Sequence, residues 1–171
     1  MPTNIEIKAK TNQPVKIVEI LQAHNAVFKG EDHQVDTYFR VPNGRLKLRE
    51  GTIEQYLIHY HRCNQAGPKQ SDVLLYACPA GSPLKAVLTE ALGELVVVDK
   101  HRKIFFIDNV KFHVDNVQQL GAFVEIEAID VDGSISVNRL NEQCQFYMEL
   151  LSINHNDLIE VSYSDMLLGL Q

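Results

Sequence analysis

Basic and apolar residues alternate along one short segment, and this alternation constrains the fold more than any other feature. Arg45, Lys47 and Arg49 alternate with Leu46 and Leu48. Because successive side chains of a β-strand point to opposite faces, the segment predicts a strand with three cations on one face and two leucines on the other. Such a basic face either meets water or binds a polyanion, and this strand alone leaves both interpretations open.

The same division between a charged and an apolar face recurs on other predicted strands. The charged faces carry Glu6 and Lys8, then Lys100 and Arg102, then Lys111, His113 and Asp115, and finally Glu125 and Glu127. The opposite faces are apolar, as at Phe112 and Val114 or at Val124 and Ile126. If helices cover the apolar faces, the charged faces must look into the interior of the sheet.

The hydrophobic periodicity predicts an α+β chain. Predicted strands lie at about 4–10, 35–41, 45–50, 54–62, 72–78, 94–101, 103–108, 110–116 and 121–131, and predicted helices lie at 14–25, 84–92, 134–152 and 163–170. Ser134 is the predicted cap of the third helix. Roughly eight strands with a few helices indicate an antiparallel eight-stranded closed β-barrel with the helices packed outside. No linker divides the chain, so we predict a single domain over residues 1–171.

Composition excludes several classes of function. A formal net charge of −6 argues against a broad basic surface for a nucleic-acid duplex, so any cationic site must be local. The apolar runs are too short to span a bilayer, and the N-terminus lacks the features of a signal peptide. Cys63, Cys78 and Cys144 are widely spaced and are interpreted as reduced thiols of a cytoplasmic protein.

A charged interior is costly because each ion loses hydration unless it is paired or ligated, so such an interior indicates a function. One group of side chains suits phosphate oxygens: Lys8, Arg45, Lys47, Arg49, Arg62, Lys100, Arg102 and Lys111. A second group supplies hard oxygen ligands for Mg²⁺ or Mn²⁺: Glu6, Asp115, Glu125 and Glu127. A polyphosphate needs both kinds together, since cations hold the chain while a divalent ion bridges its oxygens.

Other kinds of site receive less support. His59, His61 and His113 could suggest zinc, but their spacing is that of strand alternation and no cysteine joins them. His113 is better placed to donate to phosphate or to orient Asp115. The chain has no Walker-type glycine loop, and Ser71 has no partners that would make it a nucleophile.

Several motifs resemble those of the CYTH domain, also called the triphosphate tunnel metalloenzyme family. Asn4-x-Glu6-x-Lys8 resembles its ExExK signature. Further segments are similar to its class IV adenylyl cyclase-like branch, whose relatives include thiamine triphosphatase: 34–39, 44–50, 67–72, 113–115, 120–123 and 125–127. The resemblance implies a barrel that holds a triphosphate end-on.

The resemblance also implies roles for positions already selected. Glu6, Asp115, Glu125 and Glu127 would ligate the metal, and Glu6 and Lys8 would be catalytic, with Lys8 assisting attack on the terminal phosphorus. Lys47, Arg49, Lys100 and Arg102 would hold the phosphates, and Arg45, Arg62, Lys111 and His113 are additional candidates. Asn4 departs from the signature, because it replaces a glutamate and brings no negative charge.

Three functions stay open at this stage. The leading hypothesis is a metal-dependent triphosphatase that acts on tripolyphosphate, thiamine triphosphate or ATP. The second is an adenylyl cyclase, which would use the same triphosphate clamp. The third is a non-catalytic module that binds polyphosphate or nucleotide, and the lost charge at Asn4 favours it. The expected partner is a small-molecule triphosphate, with no membrane involved, and the protein is expected to be a monomer or homodimer.

Overall fold

The structure is a computed structural model that describes residues 3–61, 69–70 and 72–171. The predictions made for Arg62, Cys63 and Ser71, and for the start of the 67–72 motif, therefore lie outside the described residues. Cys78 and Cys144 are free thiols.

Strands dominate the described part of the chain. The strands are β1 (Thr3–Lys10), β2 (Val27–Phe39), β3 (Arg45–Gly51), β4 (Gln55–His61), β5 (Lys69–Gln70), β6 (Asp72–Ala77), β7 (Glu94–Ile107), β8 (Val110–Val117) and β9 (Gly121–Asp130). The helices are α1 (Pro14–Ala23), α2 (Leu84–Leu92), α3 (Val137–Leu150) and α4 (Tyr163–Leu168), and a short 3₁₀ turn spans His155–Asp157. The α+β prediction is confirmed.

The nine strands of the described ranges join one antiparallel sheet in the order β5-β1-β9-β8-β7-β2-β3-β4-β6. Eight of them have six residues or more, and β5 has two. The sheet curls so that β5 pairs with β1 while β6, one residue further along the chain, pairs with β4 at the other end of the order. The sheet is a strongly curled half-barrel, so the predicted tunnel fold is confirmed, although "closed" slightly overstates how completely the edges meet.

Several boundaries differ from the predictions. The largest difference is in β2, which begins at Val27 and not at the predicted position of about 35, because its first half also pairs with β7. β7 runs unbroken from Glu94 to Ile107 where two strands were predicted, because neighbours on both sides pair with it through its basic centre. Helix α3 is capped by Ser136, whose Oγ accepts a hydrogen bond from the Arg139 amide, and not by Ser134.

The larger apolar core lies outside the curled sheet. The outward faces of β1, β8 and β9 pack against α1 and α3, through residues such as Ile7, Phe112, Ile126, Leu21 and Leu140. Each of these side chains is almost fully buried. Because the apolar alternation is satisfied on this outer side, the charged residues of the same strands face inward, as the sequence predicted.

A second, smaller core fills one end of the curled sheet. Tyr163 and Leu167 of α4 pack there against Val98, Val117 and Phe123. The capping box of Ser162 and Asp165 fixes the start of α4. Helix α4 therefore enters this end of the interior and places Tyr163 beside the charged groups. Within the described residues, the helices are too short or too polar to span a lipid bilayer.

Candidate functional site

The interior of the curled sheet holds a cavity of about 370 Å³. Its ionisable lining residues include Glu6, Lys8, Lys47, Arg49, Glu54, Lys100, Arg102, Lys111, His113, Glu125 and Glu127. These side chains come from β1, β3, β7, β8 and β9 and from the β3–β4 turn. The structure thus brings most of the predicted site residues to one place. The roles assigned to them stay predictions.

Asp36 on β2 is the centre of the largest basic cluster. Its carboxylate accepts hydrogen bonds from Arg49 Nε and Nη2 at 2.9 and 2.8 Å, from Lys47 Nζ at 2.8 Å and from Lys100 Nζ at 3.0 Å. Burial alone would raise the pKa of Asp36, but the three cations outweigh burial and hold this pKa well below its usual value. One carboxylate thus pairs with three basic side chains, so the cluster keeps a surplus of positive charge that suits an anion.

Arg102 and Asp115 form a second buried pair. Arg102 donates to both oxygens of Asp115, at 2.7 and 2.6 Å, and the Tyr163 hydroxyl donates to Asp115 Oδ2 at 2.8 Å. Asp115 is not among the lining residues of the cavity and lies behind Arg102. Its carboxylate orients Arg102, and to bind a metal it would have to exchange these contacts.

Glu125 lies among positively charged or hydrogen-bonding neighbours. Its Oε1 is 3.5 Å from Lys8 Nζ and 3.3 Å from Arg102 Nη2, and its Oε2 is 3.1 Å from His113 Nδ1. Burial, with help from the charge of Arg102, lowers the pKa of His113 to about 4. The contact with Glu125 places the proton of the neutral ring on Nδ1. The other ring nitrogen of His113, Nε2, is buried without a hydrogen-bond partner.

Glu6 and Glu127 form the acidic part of the cavity. They are direct cross-strand partners of β1 and β9, and Asn4 Nδ2 donates to Glu127 Oε1 at 2.8 Å. Burial and the neighbouring charge of Glu6 raise the pKa of Glu127 to about 7. The two neighbouring carboxylates repel each other when both are ionised, and a divalent cation bound between them would remove this repulsion.

The residues present fit a hard divalent ion. Glu6 and Glu127 offer carboxylate oxygens from facing strands, and Asn4 offers an amide oxygen if its side chain turns over. Within the described residues, however, no three His, Cys, Asp or Glu side chains already converge on one point. We therefore expect ligands from the substrate or from water to complete the coordination, as Mg²⁺ usually requires.

The formal charges in the described part of the cavity also favour a divalent ion that binds together with the substrate. Six lysine and arginine side chains face four glutamates, and Asp36 and Asp115 lie directly behind them, so positive and negative charges balance. A triphosphate brings several negative charges into this balanced interior. A divalent ion that enters with the triphosphate offsets part of this added charge.

Arg45 departs from the group of predicted phosphate ligands. It shares a face with Lys47 and Arg49, but Nη1 donates to Ser162 Oγ at 2.7 Å and Nη2 to Asp165 Oδ2 at 2.9 Å. Arg45 is absent from the cavity lining. Its contacts tie β3 to the start of α4.

We expect Arg45→Met to destabilise the protein by about 1–2 kcal/mol, because two charge-assisted hydrogen bonds that hold α4 are lost. Thermal unfolding measures this effect, and Arg139→Met serves as the control because Arg139 forms an exposed pair with Glu142. An unchanged melting temperature combined with weaker phosphate binding would instead support the role predicted from the sequence.

Sequence reasoning missed three residues that shape the site: Asp36, Glu54 and Tyr163. Glu54 Oε1 lies 3.5 Å from Lys111 Nζ, and Glu54 Oε2 lies 3.9 Å from Arg49 Nη1. Its turn is held by Asp32, whose carboxylate accepts the backbone N–H groups of residues 53 and 54. Asp32 and Asp36 are four residues apart in β2 and therefore lie on the same face of the strand. This spacing could have indicated an acidic face, but the sequence did not show whether that face of β2 is internal.

The histidines on β4 do not join this site. Ile58 and Tyr60 line the cavity, so His59 and His61 lie on the other face of the strand. His59 Nε2 is 3.0 Å from the Asn43 carbonyl oxygen. The shared face of His59 and His61 is that of strand alternation.

The fold and the cavity together define a tunnel-type α+β protein whose charged groups lie inside a curled sheet. A family model described as the CYTH domain matches residues 2–163. The chain belongs to the CYTH family. A comparison with curated proteins found no match.

Solved structures share this fold at low sequence identity. A protein of Pyrococcus horikoshii is 21% identical, with a TM-score of 0.76 over 95% of this chain and 98% of that chain. A Vibrio parahaemolyticus protein proposed to be an adenylate cyclase is 16% identical, with a TM-score of 0.76 over 96% and 97% of the two chains. A Hippeastrum protein, proposed to be an adenylyl cyclase but described as having a dominant triphosphatase activity, is 10% identical, with a TM-score of 0.62 over 98% and 94%.

Proposed function

We propose that this protein is a divalent-metal-dependent enzyme that hydrolyses a phosphoanhydride bond of a triphosphate held in the cavity. One observation carries the proposal: the cavity joins the cation-rich cluster around Asp36 to the opposed carboxylates Glu6 and Glu127. Phosphoryl transfer depends on positioning and charge stabilisation, and these two groups of residues supply both.

Each group has a distinct task in this proposal. Lys47, Arg49, Lys100 and Arg102 hold the phosphate oxygens, and the planar guanidinium groups bind in the bidentate manner that Asp36 and Asp115 already display. Glu6 and Glu127 would hold Mg²⁺ or Mn²⁺, which when bound supplies charge neutralisation at the reacting phosphate. Lys8, which lies 3.5 Å from Glu125 Oε1 and 4.0 Å from the Tyr163 ring centre, would assist the attack of water.

Adenylyl cyclisation is the second candidate, and the similarity to proteins proposed as adenylate cyclases favours it. The same clamp would hold ATP, but the ribose 3′-hydroxyl would attack the α-phosphorus. Both reactions need the triphosphate head in the same place, so the same clamp would serve either one.

The deciding experiment incubates the purified protein with tripolyphosphate, thiamine triphosphate and ATP, each with Mg²⁺ or Mn²⁺ and with a chelator control. Orthophosphate and cyclic AMP are measured in every reaction. Metal-dependent release of orthophosphate supports the proposal, and cyclic AMP formed from ATP supports the cyclase. Metal-dependent binding without either product would overturn both and leave a binding module.

Binding of a polyphosphate is expected to draw a proton into the site near pH 8. Burial, with the charges of Arg49 and Arg102, lowers the pKa of Lys100 to about 7, so this amine is mostly neutral at pH 8 in the free protein. A bound anion raises that pKa again and protonates the amine. Calorimetric titration with tripolyphosphate in two buffers of different ionisation enthalpy should show uptake approaching one proton. Lys100→Met should abolish the uptake, whereas Lys103→Met, on the opposite face of β7, should preserve it.

A further inference from the structure

The cavity has a second wall that differs in kind from the charged one. Tyr56, Ile58 and Tyr60 of β4 and Val73 and Leu75 of β6 line it. Ile58 is the direct cross-strand partner of Leu75, and Tyr60 is that of Val73, so the side chains form one continuous surface. No lysine, arginine, aspartate or glutamate contributes to this part of the described lining.

The β6 part of this wall is open to water, whereas Ile58 and Tyr60 of β4 are buried beside it. Leu75 is 61% exposed and Val73 is 41% exposed, although both side chains face the cavity. Exposed apolar area costs about 25 cal/mol per Å², and phosphate oxygens gain nothing by covering it. An apolar ligand group would gain from contact with Val73 and Leu75, and the partly exposed ring of Tyr56 suits an aromatic partner in particular.

The size of the cavity agrees with a ligand that reaches both walls. A volume of about 370 Å³ lies within the usual range for sites that bind organic small molecules. Tyr60 connects the two regions, because its hydroxyl is 3.3 Å from that of Tyr38 and Lys47 Nζ is 5.8 Å from its ring centre. A molecule whose anionic head lies at Lys47 therefore extends its other end along β4 and β6.

We propose that the β4–β6 wall binds the organic end of the substrate, and that the substrate is a triphosphate ester with an aromatic or other apolar ring in preference to inorganic tripolyphosphate. This inference rests on the proposed function for the triphosphate head. It adds Tyr56, Ile58 and Leu75 as residues that determine specificity. These residues touch no phosphate, so they select among triphosphates without changing the chemistry.

The test exploits two neighbouring leucines on opposite faces of β6. Leu75 faces the cavity, whereas Leu74 is 72% exposed and is absent from the cavity lining. For wild type, Leu75→Ala and Leu74→Ala, kcat/KM is measured with ATP, thiamine triphosphate and tripolyphosphate. Binding of a non-hydrolysable methylene analogue of ATP is measured by calorimetry as a second readout.

We expect wild type to prefer at least one of the two organic triphosphates. Leu75→Ala should lower kcat/KM for that ester about tenfold, because a lost apolar contact in a pocket has an effect of this order. If ATP is the preferred ester, the same substitution should also weaken binding of the methylene analogue of ATP. In the Leu75→Ala variant, kcat/KM for tripolyphosphate should change less than about twofold. Leu74→Ala should leave kcat/KM unchanged for both the ester and tripolyphosphate. Val73→Ala provides a second test of the same wall.

Three results would overturn the inference in distinguishable ways. Preference for tripolyphosphate with no selective effect of Leu75→Ala removes the inference and leaves the proposed function intact. Absence of binding and turnover with all three compounds removes the proposed function as well. A concentration-dependent dimer that Leu75→Ala dissociates would show that a second copy of the chain, and not a ligand, covers this wall.

Discussion

Glu127→Gln is expected to lower metal-dependent turnover by about 10³-fold, because a metal-stabilised transition state loses several kcal/mol when a charged ligand is removed. Glu127 lies opposite Glu6 on the facing strand and accepts a hydrogen bond from Asn4. Glutamine retains the shape and an acceptor oxygen but not the charge. Steady-state rates over a range of Mn²⁺ concentrations measure the loss, and the apparent metal affinity should fall in parallel.

The same substitution should stabilise the metal-free protein above pH 7. The pKa of Glu127 is raised to about 7 from an ordinary value of 4.5, so the unfolded chain releases this proton at lower pH than the folded protein does. Stability therefore falls as pH rises from about 4.5 to 7, and glutamine removes that fall. Because the carboxyl is only partly buried, we expect a gain of no more than about 2 kcal/mol at pH 8.

The opposite signs of these two effects make the assignment testable. Thermal unfolding with chelator should show the gain, and added Mn²⁺ should raise the melting temperature of wild type but not of the variant. Glu90→Gln on the exposed face of α2 is the control for a change of charge alone. Full activity in Glu127→Gln would contradict the metal site at Glu6 and Glu127.

Alternation within single strands was enough to predict much of the fold and part of the site. Arg45, Lys47 and Arg49 share the internal face of β3, and the outward apolar residues of β1, β8 and β9 meet α1 and α3. Both results follow from the alternation of polar and apolar residues with a period of two, which is visible within one strand of the sequence. The completeness of barrel closure could not be read in this way, because it depends on how the two ends of the sheet meet.

The ion-pair partners of the charged residues could not be predicted, because they depend on which strands pair across the sheet. Asp36 lies 13 residues from Arg49 and 64 from Lys100 in sequence, and only the registers of β2 with β3 and β7 bring the three together. Arg45 likewise contacts Asp165 of α4, which lies more than a hundred residues later in the sequence. Local patterns predict which face a side chain occupies, whereas its neighbours follow from topology.

Asp36→Asn is expected to reduce the free energy of unfolding by about 3–5 kcal/mol, the usual effect of removing one partner from a buried ionic cluster. Asp36 is fully buried, and its carboxylate forms ion pairs with Lys47, Arg49 and Lys100. Asparagine leaves the buried Arg49 guanidinium and the two lysines without their counter-charge. For a chain of this length, the loss corresponds to a drop in melting temperature of roughly 10 °C.

The control is Asp99→Asn, because Asp99 forms an exposed pair with His33 on the outside of the sheet and should contribute less than about 1 kcal/mol. Equal stability of the two variants would show that the cations around Asp36 are solvated in the free protein. The variant also tests the proposed role of the cluster. Tripolyphosphate should raise the melting temperature of Asp36→Asn more than that of wild type, because a bound anion then supplies the counter-charge that the mutation removed.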